Sequence, residues 1–185
     1  MTSDELKRAL REHAYLEGDF VLRSGKRSPY YLDKYRFETR PDLLGPLAER
    51  LARLVGEVEP AADRLAGPEL GGVALATAVS LVSALPFLIV RKQAKGYGTE
   101  KRLEGAFAAG ERVCLIEDVV TSGGAAADAV EALREAGLEC RTVVCVVDRE
   151  EGGAETLARI EATLRRLFSA KDLLAARKVA AADRS

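Results

Sequence analysis

The chain has little of what most often announces a chemistry. It has three cysteines, Cys114, Cys140 and Cys145, an odd number with no Cys-x-x-Cys spacing. Two lie inside apolar, strand-like runs, so reduced core residues of a cytoplasmic protein are expected rather than a disulfide framework. There is one histidine, His13. Its place at the end of a short helical pattern suits a last-turn residue, where the helix dipole favours a cation. No window approaches eighteen uninterrupted apolar residues, and Asp4 and Glu5 stand where an export segment would be apolar, so neither a membrane span nor export is expected.

Excess charge is missing too. With 28 basic against 29 acidic residues the net charge is −1, so neither nucleic acid nor an anionic membrane is expected as the main partner, and any basic function must be local. The commoner phosphate loops are also absent. No Gly-x-x-x-x-Gly-Lys-Ser/Thr occurs, and no strand is followed by three spaced glycines, which removes the P-loop and the dinucleotide fingerprint. There is no internal repeat, low-complexity tract or long linker. A chain of 185 residues then reads as one domain over 1–185, able to bury roughly 70% of the surface its unfolded form exposes.

What is present is organised around Val113 to Gly124. An apolar run, Val113-Cys114-Leu115-Ile116, ends in Glu117 and Asp118, passes through Val119-Val120-Thr121-Ser122-Gly123-Gly124, and gives way to a helical pattern from Ala125 to Ala136. At such a strand-to-helix junction small residues let successive N–H groups converge, the helix N-terminus adds partial positive charge, and the Thr121 and Ser122 hydroxyls can donate to the same point. The natural guest is a phosphate. Glu117 and Asp118 are acceptors when ionised, suited to vicinal hydroxyls or, through water, to a metal ion, so a sugar phosphate would satisfy both halves. An ordinary βα turn with an acidic rim is the simpler alternative.

The rest alternates in the same way. Thr2 to Glu5 spells a capping box before a short amphipathic helix. Phe20 to Asp33 reads as a hairpin about Ser24-Gly25-Lys26. Pro41 opens a helix whose face is Leu43, Leu44, Leu47, Leu51, Leu54 and Val55, ending at Gly56. Arg64 to Ala66 is a short strand, followed by Gly67-Pro68-Glu69-Leu70-Gly71-Gly72 and a helix from Val73 to Val82. Phe87 to Val90 is a strand running into Arg91 to Arg102, which holds five basic residues, one acidic residue and two glycines and reads as a mobile basic loop. Thr142 to Val147 is apolar and nearly all β-branched, a strand covered on both faces, ending in Asp148-Arg149. A short edge strand near Ala162 to Phe168 and a helix from Ser169, packing through Leu173 and Leu174, complete the chain. The fold class is α/β: a mostly parallel sheet with helices on both faces and an N-terminal hairpin over the strand ends.

The segment from Val113 to Gly124 resembles the phosphoribosyl diphosphate motif of the type I phosphoribosyltransferases. Phe-x-Leu-x-Ser-Gly-Lys-x-Ser-x-x-Tyr-x-Asp across the hairpin, Arg-Lys-x-x-Lys-x-x-Gly from Arg91, and Val-Val-Asp-Arg-x-Glu-Gly-Gly around Arg149 are similar to orotate phosphoribosyltransferases, and the likeness runs from about Phe20 to about Leu174. It implies that fold, with 1–38 and 160–185 contributing hood and edge elements. It also implies transfer of phosphoribosyl from 5-phospho-α-D-ribose 1-diphosphate to orotate with Mg²⁺ held mainly by substrate, at most through water to Glu117 or Asp118.

The resemblance assigns the 5′-phosphate to Thr121, Ser122, Gly123, Gly124 and Ala125 and the ribose to Glu117 and Asp118, with Val119 and Val120 completing the motif. It gives the diphosphate to Arg91, Lys92, Lys95 and Lys26, and orotate to Arg149 and Thr121. It further implies that Lys95 is a catalytic lid lysine acting in the neighbouring subunit of a homodimer. Two positions depart from the pattern. Tyr97 stands in the lid where many relatives have histidine, and Leu70-Gly71 stands where some have Tyr-Lys in the diphosphate loop, so backbone contacts must serve there. A phosphoribosyltransferase for another base, and a non-catalytic nucleotide- or RNA-binding regulator on the same fold, are the alternatives.

Overall fold

The computed structural model describes residues 1–21, 25, 27–93 and 102–176. Lys26, Lys95 and Tyr97 lie outside that set. The capping box forms as read: the Thr2 hydroxyl accepts from the Glu5 N–H, and the Glu5 carboxylate accepts from the Thr2 N–H. It starts helix α1, Ser3–Ala14, whose Leu6 and Leu10 are fully buried. Strands β1, Tyr15–Val21, and β2, Arg27–Leu32, pair antiparallel as a separate two-stranded sheet. The hairpin begins at Tyr15, earlier than Phe20, because Tyr15 and Leu16 pair with Leu32 and Tyr31 before an irregularity between Glu17 and Phe20 resets the register.

A four-residue helix, α2, Tyr35–Glu38, follows, then α3, Pro41–Val58, with Pro41 in its first turn and Leu43, Leu47, Leu51 and Val55 in the core. The remaining elements alternate: β3 Arg64–Pro68, α4 Gly71–Ser83, β4 Phe87–Val90, β5 Leu103–Glu104, β6 Arg112–Val120, α5 Gly124–Glu135, β7 Glu139–Asp148, α6 Gly153–Arg159, β8 Thr163–Ser169 and α7 Ala170–Ala175. The sequence pattern does not predict α2, β5 or α6, which are too short to display a period.

The main sheet runs β5-β4-β3-β6-β7-β8, parallel throughout except for β5. β6 is central and its side chains alternate between two cores. Cys114 and Ile116 pack with Leu51 of α3 and Leu75 of α4, whereas Val113 and Leu115 pack with Val130 and Leu133 of α5. All three cysteines are free and buried, and burial raises each thiol above its usual value. At α7, Leu173 packs as expected but Leu174 is exposed, because neighbouring helical residues point about 100° apart. Among the described residues no helix is long and apolar enough to cross a membrane.

At the end of the sheet where β6 begins, the Arg64 guanidinium grips the Glu111 carboxylate through Nε and through Nη2, the latter at 2.9 Å, and the Ala108 N–H donates to it at 3.0 Å. Hydrogen bonding from Arg64, then from Ala108, holds Glu111 down to about 2 from 4.5. A depressed carboxylate contributes stability that is fully present above the unfolded value and is lost as pH falls through the folded one. Stability should therefore decline from pH 4.5 towards 2. Glu111→Gln, less stable at neutral pH, should decline less over that window in urea-midpoint measurements.

Candidate active site

β6 carries the motif to the edge where strands of open α/β sheets end and ligands bind. It continues through Val120, so Glu117 and Asp118 lie within its last turn of pleat rather than at its tip. Gly123 follows as the N-cap of α5 with φ 79°. A side chain there would be strained by that φ, and its Cβ would come within 2.8 Å of the Gly153 carbonyl oxygen. The first helical bond runs from the Ala127 N–H to the Gly123 carbonyl at 2.9 Å. The N–H groups of Gly124, Ala125 and Ala126 therefore have no intrahelical acceptor, and with the helix dipole they form a cradle for an anion. Val120 turns inward, buried against Gly153, and its carbonyl accepts the Arg149 N–H at 2.9 Å.

The two motif carboxylates are nearly closed off, Glu117 7% and Asp118 1% exposed, and a third carboxyl, Glu38 of α2, lies beside them at 4%. Lys34, the N-cap residue of α2, brings its Nζ to 2.6 Å from Asp118 Oδ2. Asp118 Oδ1 accepts its neighbour's N–H, from Val119. Oδ2 is matched by the Lys34 charge rather than by an aligned hydrogen bond, and Glu38 Oε1 has no hydrogen-bond partner either. Burial, and then the Asp118 charge, push Glu38 and Glu117 up to about 8. For Lys34 burial favours deprotonation, but the Asp118 carboxylate reverses that and holds its pKa above the usual value. The result is a desolvated acidic floor relieved by one ammonium.

A second loop, Gly67 to Gly72, joins β3 to α4 over this floor. It owes its shape to missing side chains. A Cβ on Gly72 would sit against the Pro68 ring and 2.8 Å from the Ile116 carbonyl oxygen, and one on Gly71 would fall onto Asp118 Oδ2. The Glu69–Leu70 peptide is cis. The Glu69 N–H donates to the Val90 carbonyl at 2.9 Å, and its carboxylate accepts the Lys92 N–H at 2.8 Å, so the loop and the basic segment are tied together. Leu70 is exposed, and backbone is what the loop offers a ligand.

The basic segment springs from a closed stem. The Arg91 N–H donates to the Arg102 carbonyl at 2.8 Å, the Arg91 guanidinium lies 3.7 Å from Glu104, and Arg102 makes a two-point contact with Asp128 of α5 at 3.1 and 2.5 Å. Arg102 thus fastens the stem to the helix whose N-terminus forms the anion cradle.

Between these parts lies a cleft of about 160 Å³, lined by Lys34, Glu69 to Gly72, Arg91, Lys92, Arg102, Glu117, Asp118, Val119, Ala125 and Asp128. Six of the expected site residues, Arg91, Lys92, Glu117, Asp118, Val119 and Ala125, meet there. Arg149 stands apart from its lining. Its side chain is 8% exposed, its Nε donates to Glu151 at 2.9 Å, and its guanidinium lies 4.9 Å from the centroid of the Tyr30 ring, which stacks on Tyr15. Lys34, Glu38, Tyr30 and Asp128 were not singled out from sequence. Lys34 and Glu38 are four apart, the spacing of one helical face, yet a helix this short gives no pattern by which to notice it.

A parallel sheet that delivers adjacent carboxylates beside a helix N-terminus, under a basic stem, has the parts to hold a sugar phosphate. Residues 45–169 match the phosphoribosyl transferase domain. The chain is 49% identical over 158 residues to the orotate phosphoribosyltransferase of Methanocella arvoryzae, covering 85% of this chain and 88% of that one. It is 48% identical over 178 residues to that of Natronomonas pharaonis, covering 96% and 100%. The crystal structure of orotate phosphoribosyltransferase from Aeropyrum pernix superposes with a TM-score of 0.80 at 35% identity, over 94% of this chain and 96% of that one. The chain belongs to the phosphoribosyltransferases, and within them to the orotate phosphoribosyltransferase family.

Proposed function

We propose that the chain transfers the 5-phosphoribosyl group from 5-phospho-α-D-ribose 1-diphosphate to orotate, releasing diphosphate and orotidine 5′-monophosphate, the penultimate step of de novo UMP synthesis. The observation that carries this reading is the junction of β6 and α5, where Glu117 and Asp118 lie beside a helix N-terminus and face Arg91 and Lys92 across one cleft. The backbone N–H groups of Gly123, Gly124 and Ala125, with the Thr121 and Ser122 hydroxyls, hold the 5′-phosphate. Glu117 and Asp118 accept from the ribose hydroxyls. Arg91 and Lys92, joined by Lys26 and Lys95 from outside the described residues, meet the diphosphate as its charge grows on departure.

The ribose carbon gains positive character as the diphosphate leaves and the pyrimidine nitrogen attacks, so charge stabilisation rather than a protein nucleophile carries the acceleration. Glu117 and Asp118, at the ribose position, would hold Mg²⁺ at most through water, its remaining ligands coming from substrate. A bound Mg²⁺ would supply charge neutralisation for the departing diphosphate. Arg149, reached from the end of β7 beside the phosphate loop, takes the orotate carboxylate with its planar fork.

We assign the working form as a cytoplasmic homodimer in which Lys95 serves the partner's site. Mixing Lys95→Ala with Arg149→Ala subunits should restore activity that neither has alone, and failure to restore it would place both groups in one chain. Offered orotate together with adenine and hypoxanthine, the protein should consume orotate alone; consumption of a purine would transfer the reading to salvage of another base.

A further inference from the structure

We propose that Lys34 is a positioning residue for Asp118, fixing the orientation of that carboxylate at the floor of the cleft and offsetting its charge when the anionic phosphoribosyl substrate arrives. The inference rests on the reading of Asp118 as a ribose ligand and adds a residue that no motif supplies.

The backbone of Lys34 is held from both sides. The Asp33 N–H donates to the Ala14 carbonyl at 2.8 Å, and the Lys34 carbonyl accepts the N–H groups of Phe37 and Glu38, each at 3.1 Å. Phe37 is fully buried and anchors α2 in the core. From this fixed base the ammonium reaches 2.6 Å from Asp118 Oδ2, while its own side chain is 33% exposed and lines the cleft. Among the described residues it is the cation within ion-pair distance of Asp118.

Its necessity follows from what surrounds Asp118. Glu117 precedes it in the strand, Glu38 approaches from α2, and the absent side chain of Gly71 leaves Oδ2 open to the α4 N-terminus. A buried carboxylate beside two other carboxyls is tenable only when paired, and removing its partner leaves a desolvated charge that turns towards water or takes up a proton. Either response spoils an acceptor meant for sugar hydroxyls. The substrate is itself an anion, so an unrelieved acidic floor would also repel it.

Lys34→Met should therefore raise KM for the phosphoribosyl diphosphate by about tenfold or more, because one partner of a buried charge pair is lost. KM for orotate should stay close to that of the parent, while the melting temperature falls because Asp118 is left buried without its counter-charge. Lys34→Arg should recover most of the loss. In a double-mutant cycle Lys34→Met should add little to Asp118→Asn, since both act on one carboxylate. An unchanged KM for the diphosphate substrate in Lys34→Met, with a raised one in Asp118→Asn, would overturn the inference alone. An unchanged KM in Asp118→Asn would overturn the ribose reading beneath it. Should Lys34→Met fail to fold, Lys34→Gln takes its place; failure of both would make Lys34 structural and overturn the inference as well.

Discussion

Gly71→Ala is expected to lower kcat/KM for the phosphoribosyl diphosphate by about a hundredfold, the scale on which a misplacement near 1 Å is felt at a reacting centre. The added Cβ would fall onto Asp118 Oδ2 and come within 2.8 Å of Glu38 Oε1. Asp118 has no free space to retreat into, being 1% exposed between Glu38, Lys34 and the strand. The strain must pass into the aspartate's rotamer or into the start of α4, and both belong to the cleft. Overpacking of this kind costs about 1–3 kcal/mol of stability, so steady-state kinetics should be read beside a thermal melt. Gly45→Ala is the control. That glycine lies exposed in α3 with nothing within 4 Å of an added Cβ, and the change should stabilise by about 0.4–1 kcal/mol without altering KM. Equal kinetic effects from the two variants would remove the steric argument.

Arg149→Ala is expected to raise KM for orotate and depress turnover, with a combined loss of about 2–5 kcal/mol, roughly thirtyfold to a few thousandfold, as for truncation of a buried charge that meets its ionic partner. KM for the phosphoribosyl diphosphate should move far less, since Arg149 stands outside the lining of the main cleft. Arg149→Lys should recover little. The guanidinium lies over the Tyr30 ring and engages Glu151 through Nε, and on the proposed reading its remaining nitrogens form the planar fork for the orotate carboxylate, which a lysine cannot reproduce. If Arg149 only closes the turn through Glu151, then Glu151→Gln should reproduce the Arg149→Ala kinetics. On the present account the Gln variant keeps most of its activity.

How much of this was legible in the sequence depended on length and period. β6 and β7 announced themselves by unbroken apolar runs because both of their faces are covered, and α3 by a stripe of leucines from Leu43 to Leu54. The Val113 to Gly124 segment could be read as an anion site because strand, small-residue loop and helix are contiguous in the chain. Lys34 and Glu38 could not be placed in that way. They reach Asp118 from a segment about eighty residues distant, on a helix of four residues, and only the folded sheet brings them together. Tyr30 is similar: its period-2 pattern predicted a strand, but nothing local in it pointed to Arg149. The extra residues of β6 beyond Asp118 were missed because Val119 and Val120 read equally well as strand or as loop.

Loss of orotate absorbance, followed with purified protein, phosphoribosyl diphosphate and Mg²⁺, tests the transfer to orotate. The prediction is turnover that requires all three and is abolished by Asp118→Ala, with diphosphate released in equal amount. Persistent absence of orotate turnover in folded protein, alongside turnover of a different base, would contradict the assignment of orotate while leaving the phosphoribosyl chemistry of β6 and α5 in place.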